Sequence, residues 1–221
     1  MIFISTPNHK ILVDAGCHQT NDRYKDFLVN NRKFKEFKPK DIDYIMLTHC
    51  HHDHCNLVPR LYKEGCTASL VTTIGTTSVL RDMMIDCAEI NERDILLINS
   101  QHDKNYQPLY SVDDVNNALS HIEEYPYNEK FYIDDEFSFE LIPSGHLLGS
   151  CQIILYLTVN NVTKSLAITG DIGNKVVKNR FVGEYKQIEK CDYLIGESTY
   201  GDRPDLKTGK KERKSDLEKF K

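Results

Sequence analysis

Apolar residues in this chain come in short runs separated by polar turns, a rhythm that predicts mostly strands with a few helices. Residues 1–5 and 10–14 read as two strands, joined by the turn Thr6-Pro7-Asn8-His9 into a hairpin. Residues 21–37 predict an amphipathic helix with Phe27, Leu28 and Phe34 inward, ended by Pro39. The near-continuous apolar run 42–47 predicts a buried strand, and Leu57, Val58 and Leu61 a helix closed at Gly65. A strand over 69–72 and a helix over 76–91 come next, with Met83, Met84 and Cys87 as packing residues; 94–103 fits either a helical continuation or a loop. Ser111, with Asp114 three residues on, predicts an N-cap for a helix over 112–125 that carries His121 on its surface. Strands are then expected at 130–133, 137–142, 152–159 and 165–169, with Asn160-Asn161 turning the third into the fourth, and at 191–195.

The residues just past the strand ends set the chain apart. Directly after residues 42–47 stands His49-x-His51-x-Asp53-His54. Four potential ligands in six residues exceed what a loop needs, and imidazole and carboxylate donors suit zinc. In an extended loop His49 and His51 point the same way and could hold one metal, while Asp53 and His54 could reach a second. The other strand ends repeat the theme with Asp14, His146, Asp171 and Glu197. His146, flanked by Gly145 and Gly149, is expected as the third imidazole of the first metal, and Asp171 as a carboxylate between two metals. Asp14 reads either as a turn carboxylate or as a group orienting a ligand histidine. His9 and His18 read as exposed loop residues. Loops at one edge of a two-sheet sandwich would bring these groups together, and two cations there would activate water for hydrolysis.

Composition narrows the context. A net charge of −5 gives no support for binding nucleic acid over the whole surface, though it allows a local basic groove. The 7 cysteines form no CxxC pair, and no signal sequence precedes them, so reduced thiols and a cytoplasmic location are expected. No apolar stretch reaches the ~20 residues of a membrane span.

The ordered set Asp14, His49-x-His51-x-Asp53-His54, His146 and Asp171 resembles the metallo-β-lactamase superfamily. That resemblance implies an α/β fold, the αββα sandwich, with the metal site at one edge of its sheets. It implies His49, His51 and His146 on a first zinc, Asp53 and His54 on a second, Asp171 bridging and Asp14 behind them. Ser144-Gly145-His146-Leu147-Leu148-Gly149-Ser150, Thr169-Gly170-Asp171 and Glu197-Ser198-Thr199-Tyr200-Gly201 resemble, more narrowly, the β-CASP branch of RNA-processing hydrolases. By that resemblance the parent is a two-zinc ribonuclease, with single-stranded RNA as its partner and no membrane, and with Asp53, Glu197 and Asp14 serving catalysis; a homo-oligomer fits equally. The competing readings are a small-molecule hydrolase of the same superfamily and an inactive zinc-binding fragment.

The chain departs from the family in three places. Cys55-Asn56 stands where a small residue and Gly are usual; Asn tolerates a left-handed backbone, so little harm is expected. Cys50 and His52 occupy the variable positions and read as outward-facing spectators rather than adventitious ligands. Against the β-CASP pattern the chain is also expected to be truncated at both ends. Residues 1–203 would form an incomplete metallo-β-lactamase-like domain, and 204–221 would start the connection to a β-CASP domain. Such a chain alone would bind zinc yet be nearly inactive. The charged tail 207–221 reads as solvated or disordered.

Overall fold

Strand periodicity and crossover geometry decide the architecture. In the computed structural model, which describes residues 1–173, 182 and 184–199, ten strands form two five-stranded sheets. The first orders β1 (Ile2–Ser5), β2 (Lys10–Val13), β3 (Tyr44–Met46), β4 (Ser69–Thr73) and β5 (Ile122–Tyr125). The β1–β2 hairpin is antiparallel and every later pairing is parallel. Each parallel step needs a crossover. Helices α1 (Arg23–Asn30), α2 (His52–Cys55) with α3 (Val58–Lys63), and α4 (Ile74–His102) with α5 (Val112–Leu119) supply them. The second sheet orders β10 (Tyr193–Ile195), β9 (Val162–Ile168), β8 (Cys151–Val159), β7 (Phe137–Pro143) and β6 (Lys130–Tyr132), antiparallel except for β10 on β9.

Register sorts the apolar side chains into layers. Leu12, Ile45 and Leu70 lie in one row and pack under the helices with Leu61, Leu80, Met84 and Val115. One residue further along, Val13, Met46 and Val71 point the other way, onto Phe139, Leu141, Ile153 and Leu155 of the second sheet. The described residues thus form a helix–sheet–sheet stack, three layers of the expected αββα sandwich. On the outer face of the second sheet Ile142, Ile154 and Ala167 are covered by Ile188 and Cys191 from a non-helical segment.

Several expectations are corrected. The helix expected over 21–37 ends at Asn30, whose backbone carbonyl accepts from the Arg60 guanidinium instead of from a further turn, while its side chain bonds to the backbone N–H and C=O of His18. Leu28, on the outer face of α1, is 40% exposed, while Phe34 reaches the core from irregular chain beside Phe37. The ambiguous stretch 94–103 continues α4, because Ile95 and Ile98 extend the buried stripe of Leu80, Met84 and Cys87. The helix expected over 112–125 stops at Leu119. Ile122 falls one turn beyond Leu119 and so mimics helical spacing, but it pairs with Leu70 as the edge strand β5. The Ser111–Asp114 capping box is present. His121 lies in the turn, half-buried 4.9 Å from the Tyr62 ring. His9, expected to be exposed, is buried against Phe137 with Nε2 2.9 Å from Asp134, whereas His18 is exposed as expected. Strand β10 is apolar but lies exposed at the sheet edge. The expected domain boundary at 203/204, Tyr200-Gly201 and the tail 207–221 lie outside the described residues.

The layer between the sheets should dominate stability. Truncating the buried Phe139 to Ala is expected to cost about 3–5 kcal/mol in urea unfolding, against at most about 0.5 kcal/mol for Ala at Tyr132, which is 73% exposed.

Candidate metal centre

Strands β2, β3, β7, β9 and β10 all deliver their C-terminal ends to one edge of the stack, and each is followed by a chemistry-bearing residue. Asp14 follows β2 with a left-handed backbone, φ 57°, which turns the chain sharply out of the sheet. The chain must then lie flat against the histidine loop: a Cβ on Gly16 would stand 1.6 Å from the Asp53 carbonyl oxygen, so only glycine fits. The histidine loop is stapled to the second sheet by the Cys151 N–H, which donates to the Thr48 carbonyl at 2.8 Å. Asp171 is brought in by Gly170, whose φ of +52° and contact with the Thr48 side chain leave no room for a Cβ.

The His146 loop is held from both sides. The Ser150 hydroxyl oxygen accepts from the N–H groups of His146 and Leu147, each at 3.1 Å, and from the Ser144 hydroxyl at 2.9 Å. At the N-terminus of α4, the hydroxyls of its cap residue Thr73 and of Thr76 donate to the Gly149 carbonyl at 2.6 and 2.9 Å.

These constraints bring six of the expected residues together. His51 Nδ1 lies 3.0 Å from His49 Nε2 and 3.1 Å from His146 Nε2. Asp171 Oδ2 completes that group, 3.4 Å from His146 Nε2 and 3.8 Å from His49 Nε2. Tetrahedral zinc with bonds of roughly 2.0–2.1 Å separates its ligand atoms by about 3.3 Å, so this donor set fits such an ion. His49, His51, His146 and Asp171 could therefore hold a metal ion. The other carboxylate oxygen, Asp171 Oδ1, faces away to His54 Nε2 at 3.2 Å, and Asp53 Oδ2 lies 3.7 Å from the same nitrogen. This second focus has one imidazole and two carboxylates, and Asp53 is largely exposed there.

Behind the cluster, the buried Asp14 accepts from the Thr48 N–H and the Thr48 hydroxyl, both at 2.8 Å, and faces His54 Nδ1 at 2.8 Å. Glu197 is not among the imidazoles. Its carboxylate accepts from the Ile172 N–H at 2.5 Å and from the Thr199 hydroxyl at 2.7 Å, so it braces the backbone next to Asp171.

The surroundings set the protonation of the rings. Burial, then the neighbouring His54, His51 and His146, drives the pKa of His49 down to about 2 and keeps the ring neutral. His51 is likewise lowered, first by burial and then by His146. For His54 burial pulls downward, but the hydrogen bond and charge of Asp14, with Asp171 and Asp53, outweigh it and raise the pKa.

The two spectator positions do not face outward. Cys50 is buried in the core, and His52 turns to Cys87, with Nε2 3.2 Å from the sulfur. Asn56 has φ −72°, so no left-handed tolerance is needed, and its side-chain oxygen accepts from the Tyr110 hydroxyl. Sequence reading passed over Thr48, Ser150, Thr73 and Thr76. Ser150 closes the Ser144–Ser150 motif and Thr48 directly precedes the histidine motif, but their roles depend on Asp14 and the His146 loop; nothing in the local sequence singles out Thr73 or Thr76.

A His/Asp metal-binding site at the edge of a mixed two-sheet scaffold is the class of centre this geometry defines. Residues 1–70 match the family model of the metallo-beta-lactamase superfamily, in agreement with the resemblance read from the motifs. The chain is 26% identical over 195 residues (88% of its length) to a ribonuclease of Thermus thermophilus. It is 28% identical over 221 residues (98%) to the transcription termination factor FttA of Pyrococcus horikoshii. To an RNase J-like protein of Methanocaldococcus jannaschii it is 32% identical over 208 residues (94%). It spans only 39%, 32% and 41% of those three relatives' own lengths. Among solved structures, a subclass B3 metallo-β-lactamase of Bradyrhizobium japonicum aligns over 92% of this chain and 76% of its own, at 16% identity and a TM-score of 0.46.

Because His49 stays neutral in the fold down to about 2 but takes a proton near 6.5 when unfolded, the unfolded chain binds the extra proton between those values. This share of stability is present above pH 6.5 and is lost as pH falls. Urea unfolding of the metal-free protein from pH 6.5 to 4 should therefore show a shallower loss for His49→Asn than for wild type.

Proposed function

We propose that this chain carries the metal centre of a zinc-dependent β-CASP ribonuclease, which hydrolyses phosphodiester bonds of single-stranded RNA in the cytoplasm. The observation that carries the reading is the Asp171 carboxylate, with one oxygen turned to His49 and His146 and the other to His54. A carboxylate so placed suits a pair of cations, and two zinc ions when bound would supply an activated water and neutralise charge building on the phosphate. His49, His51 and His146 would hold one ion, Asp53 and His54 the other, and Asp171 both. Asp14 would orient the rings.

The choice of RNA rests on two supports. Relatives aligned along most of the chain are named as ribonucleases and a transcription termination factor. The Glu197-Ser198-Thr199 segment, which distinguishes the β-CASP resemblance, packs next to Asp171 through Ile172. By the β-CASP resemblance Glu197 would assist proton transfer to the leaving oxygen. We assign residues 1–203 to one metallo-β-lactamase-like unit on the same motifs.

Incubating the zinc-loaded protein with 5′-labelled single-stranded RNA, beside a β-lactam, a lactone and a thioester, tests this. At most trace cleavage of the RNA is expected from this chain alone, falling to background in Asp171→Ala and Asp53→Ala, with none of the small molecules turned over. Turnover of a small-molecule substrate with the RNA left intact would overturn the reading.

A further inference from the structure

The chain of hydrogen bonds behind the metal centre has a direction that its acceptors dictate. A carboxylate has no proton to give, so the Thr48 hydroxyl must direct its single proton to Asp14 Oδ2, 2.8 Å away. Its lone pairs are then what remains for His49 Nδ1 at 3.0 Å. An imidazole nitrogen facing a lone pair at that distance must carry the proton, so His49 is protonated on Nδ1 and its Nε2 lone pair points at His51, His146 and Asp171. On the other side, His54 Nδ1 gives its proton directly to Asp14 Oδ2, which frees His54 Nε2 toward Asp171. Thr48 Oγ1 stands further from His54 Nδ1, at 3.4 Å, so the direct contact is the governing one there. One carboxylate therefore reaches both foci, His54 by contact and His49 through a single hydroxyl. Thr48 is fully buried, with no water-facing alternative for that hydroxyl, and its backbone N–H is pinned to the other oxygen of Asp14.

We propose that Thr48 is a positioning residue of the metal centre: its hydroxyl passes the pull of Asp14 to His49 and locks that ring in the tautomer that can ligate. The proposal rests on the reading of His49 as a metal ligand. It implies that position 48 needs a hydroxyl and not merely a β-branched shape, since valine would fill the same space and break the relay.

The test uses the full chain with ¹⁵N-labelled histidine as wild type, Thr48→Ser and Thr48→Val. Long-range proton–nitrogen spectra of the metal-free proteins report which ring nitrogen of His49 carries the proton, and competition with a chromogenic chelator gives zinc affinity. Wild type and Thr48→Ser should hold the proton on Nδ1 and agree in affinity within about threefold, while Thr48→Val should show mixed tautomers and zinc binding weaker by roughly 10–100-fold. An Nε2-protonated His49 in wild type, or a Thr48→Val protein with unchanged tautomer and affinity, overturns the proposal. Should Thr48→Val not fold, the wild-type and Thr48→Ser tautomers decide it. A wild type with the Nδ1 proton in place that takes up no zinc would refute the metal-centre reading while leaving the relay supported.

Discussion

Burying the Asp14 carboxylate is the constraint on which this edge of the molecule depends. A carboxylate taken out of water is costly unless its lone pairs are filled. Asp14 fills them from Thr48 twice and from His54 once. Each of those donors lies in the segment from the end of β3 into α2, so satisfying one buried charge fixes where the histidine segment must lie. The left-handed turn at Asp14 and the absence of a side chain at Gly16 allow the approach.

The two sheets then have to be held at the right separation at that edge. The Cys151 N–H on Thr48 ties β8 to the end of β3, and the clamp of Thr73 and Thr76 on Gly149 ties the His146 loop to α4. Helix α4 therefore serves the site from its first turn, while its buried stripe anchors it to the core. The result is a pocket of donors whose net preference is for positive charge. His49 and His51 are held back from protonation, and three carboxylates, Asp14, Asp53 and Asp171, lie around His54.

Much of this was legible in the sequence where a local rule and the tertiary fold agree. The run 42–47 leading into His49-x-His51-x-Asp53-His54 reads as strand then site, because an apolar run ending in polar donors leaves little else to be. The hairpins around Thr6–His9 and Asn160-Asn161 were readable from turn chemistry, and both asparagines do adopt positive φ. Errors arose where spacing was ambiguous or a distant partner won. Ile122 fits a helix by spacing and a strand by its partner Leu70. Helix α1 ends at Asn30 because the distant Arg60 takes its backbone carbonyl. His9 is drawn inward by Phe137 and Asp134, more than a hundred residues away. Within the site, the ligand-type residues announced themselves by type. The hydroxyls that hold them did not, since serine and threonine carry no signal until their partners are known.

The central claim is that two cations share Asp171. It is tested most directly by anomalous diffraction at the zinc edge on crystals of the zinc-loaded protein. The account predicts two peaks roughly 3.5–4 Å apart, one among His49, His51 and His146 and one between His54 and Asp53, with an Asp171 oxygen on each. A single peak that leaves Asp171 bound through one oxygen only, or zinc bound away from these residues, would contradict it.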